Sequence, residues 1–241
     1  MPESRAGREV AMPTASFAVA RWPRLLSLAL ALAAAPVGFT AVWMVLGVLS
    51  PGYTLFGHHF RHYSAISQPI SGLGIGATAP YMNAAFIVTG VLVLAGVPAA
   101  FATVDHADHQ RRSWSIALLS ATGVGMIIDG LFTLAQPIPH LLGFAFGILV
   151  PVVAFPVAGG YLREAPRWQR FGRRLRYAGP ITLALIILFF LTFRATPDAA
   201  EHGISGIVER VLVTEVLACF AALGWHATRT AVDPDTEETR Q

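Results

Sequence analysis

The chain has 241 residues, 54% of them hydrophobic and 13% charged, with a formal net charge of +3. A soluble domain carries about 25% charged residues, so a water-soluble globule is excluded and the unit to count is the apolar span of about 20 residues. All 17 basic residues are arginine, set beside apolar runs as membrane topology requires, which speaks against a nucleic-acid partner. The single cysteine, Cys219, lies in an apolar run and leaves no intrachain disulfide and no thiolate cluster.

Residues 1–24 are polar and mixed and read as a disordered cytoplasmic arm. Arg21-Trp22-Pro23-Arg24 with the apolar stretch after it resembles a signal peptide, and Ala33-Ala34-Ala35 a cleavage site. The apolar run nevertheless continues to Leu49, too long for a signal core and right for a spanning helix. A long polar link, 50–79, follows. Span two covers 81–104, span three 113–135, span four 141–162, span five 179–193 and span six 206–228. The predicted fold is an all-α polytopic bundle of six transmembrane helices over 25–228. The acidic tail, 229–241, reads as disordered.

Orientation follows from the arginines. The N-terminal arm, the second link, the fourth link and the tail hold 4, 2, 6 and 2, whereas the first and fifth links hold one each and the third none. The positive-inside rule then places both termini in the cytoplasm of a bacterial-type plasma membrane and the first link outside. In the fourth link, Trp168, Phe171 and Leu175 recur at helical spacing among arginines. This suits either a short helix on an anionic leaflet or arginines that only set topology.

Spans three and four are joined by Gln136-Pro137-Ile138-Pro139, which permits little but a tight antiparallel hairpin. Gly143 and Gly147 make a GxxxG step, and Gly123, Gly125 and Gly130 line span three, so close helix contact is expected there. Asp129 lies about six residues from the outer end of span three, roughly 9 Å deep. His140 opens span four. Glu209 and Arg210 lie just inside span six, and Glu215 nearer the midplane. Ionisable groups in a membrane segment default to a functional hypothesis. Asp129, His140, Glu209 and Arg210 are read here as lining an outward-facing polar cavity with Ser64, Ser67, Ser71 and Asn83, and Arg210 is expected to pair with Asp129 or Glu209. Glu215 lies about 140° around the helix from Arg210 and needs either another partner or a proton of its own.

Three functional classes remain open. The first is a protein whose cavity binds a lipid or small polar solute. The second is an intramembrane lipid hydrolase using His140 with Asp129 or a first-link serine. The third is a structural or regulatory subunit whose buried charges fix packing. Membrane lipids are the expected partners, and no cofactor or metal is assigned. His58, His59 and His62 have a spacing that would put two imidazoles on one helical face, but no HExxH or cysteine partner accompanies them. There is no GxSxG elbow. The glycine-rich run Ser71-Gly72-Leu73-Gly74-Ile75-Gly76 follows no strand and reads as a re-entrant entry to span two rather than a phosphate loop.

Several motifs in this order resemble a family of bacterial and archaeal six-helix membrane proteins known as domain of unknown function family 998. They are Tyr63-Ser64-Ala65-Ile66-Ser67 and Ser71-Gly72-Leu73-Gly74, Asn83, and Gly123-x-Gly125 with Gly130-Leu131-Phe132 and His140. Gly206 with Glu209-Arg210 completes the set. The resemblance spans residues 36–228. It implies the six-helix membrane fold and no established activity. Many members carry an acid in the hinge before the histidine, where this chain has Gln136, so no metal or proton-relay role is carried over.

Overall fold

The computed structural model describes residues 15–194, 196 and 202–232. The expected disorder of 1–14 and 233–241 lies outside the described residues. Helix α1 (Ala15–Leu49) starts ten residues ahead of the expected arm boundary and carries Pro23 and Pro36 within it. Its apolar spanning stretch is Pro23–Leu49. Then come α2 (Ala79–Phe101), α3 (His109–Leu131), α4 (Pro137–Phe144), α5 (Pro151–Leu162), α6 (Gln169–Thr192) and α7 (Ser205–Val232).

Helices α4 and α5 form one rod of 26 residues through a π-helical turn at Ala145–Leu149. Pro151 has no N–H to give and its ring crowds the carbonyl four residues back; Val150 N instead donates to Ala145 O at 2.9 Å. That makes six rods. Five are long and apolar enough to cross a membrane, and α7, with 28 residues, has ample length. Each rod packs on its sequence neighbours and α7 closes on α1, giving a ring of antiparallel helices. Apolar side chains such as Val48, Ile138, Leu141, Ile187 and Leu191 face outward, as lipid requires.

Two expectations are corrected. The six-arginine link is not a separate surface helix. From Gln169 its residues are the first turns of α6, with Trp168 and Leu175 buried in the core and the arginines outside. Nor do the first-link histidines share a helical face. Tyr53–Leu55 (β1) pairs with His58–Phe60 (β2) in an antiparallel hairpin, Leu55 opposite His58. The turn residues Phe56 and Gly57 both have positive φ, as a two-residue hairpin turn demands. His58 and His59 therefore point to opposite faces.

The core has two parts. Phe101, Phe155, Tyr161, Trp168 and Phe220 fill the arginine-rich end. Phe39, Ile70, Leu73, Met82, Met126 and Leu217 fill the other, where the first link folds in. The expected hairpin of spans three and four is present. A side chain at Gly125 would strike the backbone of Gly143 and Gly147, whereas Gly123 and Gly130 face α2.

Candidate functional site

Asp129 sits in the last turn of α3. The chain leaves the helix at Phe132 in an extended conformation. Gln136 Oε1 then accepts from Thr133 N at 3.0 Å and Thr133 Oγ1 at 3.1 Å, closing the turn before Pro137 starts α4. This geometry swings His140 back over Asp129. His140 Nδ1 lies 3.0 Å from Phe132 O and 3.1 Å from Asp129 Oδ1. Two oxygens on one ring nitrogen require it to carry the proton, so the neutral ring is the Nδ1–H tautomer and Nε2 keeps its lone pair. The N–H aligns on Phe132 O, and Asp129 Oδ1 is left without an aligned donor. Gly143 is needed here because any side chain would collide with the Asp129 carboxyl.

The other wall comes from the first link, which docks on the start of α7. Ile207 N donates to Ile66 O, Ser205 Oγ to Ser67 O, and Ile70 N to Glu209 Oε2 at 2.9 Å. Gly206 lies so close to the Gln68 backbone that a Cβ would fall 2.7 Å from Gln68 N. Ile70–Gly74 is wholly buried, where irregular backbone at membrane depth must be.

Arg210 pairs with neither expected carboxylate. Its Nη1 donates to Gln68 O at 2.9 Å and Gly206 O at 2.8 Å, and its Nη2 to the Tyr63 hydroxyl. The guanidinium also lies 5.2 Å from the Trp43 ring and 5.5 Å from the Tyr63 ring. Burial pushes the Tyr63 phenol up, so it stays protonated and donates onward to Pro69 O at 2.9 Å. The arginine thus ties the link to α7, and Asp129 belongs to His140.

Between these walls is a cavity of about 60 Å³, room for a few waters. Asp129, His140, Glu209 and Ser71 line it among apolar residues that include Phe39, Phe86 and Phe144. Thr122 also lines it, its hydroxyl buried and without a partner. The sequence reading missed Thr122, although it lies two turns before Asp129 on the same face of α3. Ser64, Ser67, Asn83 and Arg210 are not in the lining. Ser64 Oγ accepts from Ser67 N at 3.4 Å, and Asn83 Nδ2 donates to Gly74 O at 3.3 Å. Glu215 is elsewhere, accepting from Thr182 Oγ1 of α6 at 2.8 Å.

The cavity is therefore rich in acceptors. It is lined by Asp129, Glu209, His140 and the hydroxyl residues Ser71 and Thr122, while Arg210, outside the lining, gives Nη1 to backbone carbonyls and Nη2 to Tyr63 and keeps a buried Nε without a partner. In comparison with known proteins, the family described as "Protein of unknown function (DUF998)" matches over residues 33–226. No curated protein and no solved structure matches.

Proposed function

This chain belongs to the DUF998 family of multi-pass membrane proteins, and from that premise we propose that it binds a small, hydrogen-bond-donating solute in the Asp129–His140–Glu209 cavity. The observation that carries this reading is the imbalance of the lining: two carboxyl groups and two hydroxyls against a single imidazole, with no arginine among the lining residues. Carboxyl groups in an apolar setting are costly unless neutralised. A solute of the ammonium or primary-amine class supplies both positive charge and donors. The volume of about 60 Å³ suits such a solute and is well below what a lipid headgroup fills. With the arginine-rich end in the cytoplasm of the plasma membrane, the cavity belongs to the outer half of the bilayer.

Mass spectrometry of solutes released from the purified protein tests this. The expected result is a small amine or ammonium ion, retained by the native chain and lost in His140→Gln at unchanged folded yield. Retention of an anionic solute, or an amine held equally by His140→Gln, would refute it.

A second reading has one observation in its favour. His140 has its Nδ1–H beside a carboxylate and a free Nε2, and Ser71 lines the same cavity, the roles of base and nucleophile in a hydrolase. Labelling of Ser71 by a fluorophosphonate, dependent on His140, would support that reading; unlabelled Ser71 would dismiss it.

A further inference from the structure

At the end of the bundle away from Asp129, α5 and α6 frame an open groove of about 770 Å³. Glycines bring its walls together. A Cβ at Gly159 would fall 2.6 Å from Gly172 O and 2.7 Å from Arg176 Cγ, and one at Gly179 would fall 2.6 Å from the Pro156 ring. The helices touch at backbone level, which sets Arg163, the C-cap of α5, on the same rim as Arg173 and Arg176.

Along α6 the lining residues Gln169, Arg173, Arg176, Tyr177 and Pro180 recur at helical spacing and form one stripe. The stripe is polar at its start and apolar at its end, where Pro180 faces Pro156. Exposed Trp114, Tyr177 and Trp225 ring this end of the bundle, where aromatic side chains mark headgroup level. The arginines thus lie at headgroup depth and the prolines beneath them, in the acyl region.

Glu164 also lines the groove, but its carboxylate is already taken. It accepts from Arg111 Nη1 at 2.7 and 2.8 Å and has His106 Nε2 at 3.3 Å. The Arg111 guanidinium holds this carboxyl below the usual carboxylate range. Arg163, Arg173 and Arg176 are exposed and have no carboxylate partner among the described residues.

We infer that this groove is a binding site for an anionic phospholipid, its phosphate held by Arg163, Arg173 and Arg176 and an acyl chain laid over Pro156 and Pro180. Guanidinium forks suit phosphate oxygens, and basic pockets between spanning helices are a known setting for lipid headgroups. Arginines that served topology alone need not converge on one groove. Arg170 and Arg174, on the same helix but outside the lining, provide the internal control.

The test is native mass spectrometry of the full chain in detergent, titrated with dioctanoyl-phosphatidylglycerol. Dioctanoyl-phosphatidylcholine and inorganic phosphate serve as comparison probes. Arg173→Gln with Arg176→Gln should weaken phosphatidylglycerol binding roughly 30-fold, from the loss of two basic contacts. Arg170→Gln with Arg174→Gln should change it less than about twofold. If the first double variant does not purify, Arg163→Gln alone should cost roughly fivefold. Equal losses in the two double variants would overturn the site. Phosphatidylcholine bound as tightly as phosphatidylglycerol would overturn the anionic preference. Inorganic phosphate bound as tightly as the lipid would overturn the lipid assignment.

Discussion

Arg210 directs its charge at backbone oxygens. Gln68 O has no other donor among the described residues, and the guanidinium that serves it also lies 5.2 Å from the Trp43 ring and 5.5 Å from the Tyr63 ring. Arg210→Gln leaves a buried carbonyl unpaired and should destabilise the protein by about 1–3 kcal/mol. Arg210→Lys should recover little, because an ammonium cannot span Gln68 O, Gly206 O and Tyr63 with a planar fork. Thermal unfolding in detergent measures both. The same geometry predicts that Asp129→Asn and Arg210→Gln add independently, while Asp129→Asn and His140→Gln do not, because only the second pair is in contact. That Asp129, His140 and Glu209 lie at one end of the bundle was legible in the sequence, since level follows from counting along a helix. The partner of Arg210 was not. Every residue offers a carbonyl, and only the fold of residues 63–70 decides which ones turn toward the guanidinium.

Helices α3 and α4 meet at glycines that are not equivalent. A methyl at Gly125 would strike the backbone of Gly143 and Gly147, whereas one at Gly147 meets nothing within 4 Å. Gly125→Ala should therefore cost about 1–3 kcal/mol by overpacking. Gly147→Ala should be neutral or slightly stabilising, and melting temperatures of the two variants would check the contrast. A GxxxG step and a short proline hinge are local patterns, so this hairpin could be read from the sequence. The true start of α6 could not. Six arginines end an apolar window, yet a helix continues past the bilayer surface when its other face, here Trp168 and Leu175, still has a core to bury against. The β-hairpin was hidden for a similar reason. Three-residue strands leave almost no alternating pattern, and its strongest signal was only Phe56-Gly57 between apolar residues.

At the scale of the molecule, the described residues form a ring of six rods with a carboxyl- and hydroxyl-lined cavity at one end and an arginine-lined groove at the other. The arginine bias predicts which end faces the cytoplasm. Single cysteines placed at the exposed positions Ala65 and Gln169, in a background lacking Cys219, report this through an impermeant thiol reagent. Labelling in intact cells is expected for Ala65→Cys, with Gln169→Cys labelled only after permeabilisation; the reverse pattern would invert the topology. The six-rod fold was legible because five of the six predicted apolar runs are long enough to span the bilayer; the fifth, 179–193, reaches that length only with the arginine-rich turns before it. The sign of the cavity was not legible, because it depends on Arg210 giving its Nη atoms to Gln68 O, Gly206 O and Tyr63 rather than to a carboxylate. The most direct measurement of that sign is a calorimetric titration of the purified full chain with methylammonium. The account predicts saturable binding, at least tenfold weaker in Asp129→Asn and in Glu209→Gln and unchanged in Glu215→Gln, whose carboxyl lies outside the cavity. Binding absent from the native chain, or lost equally in Glu215→Gln, would contradict it.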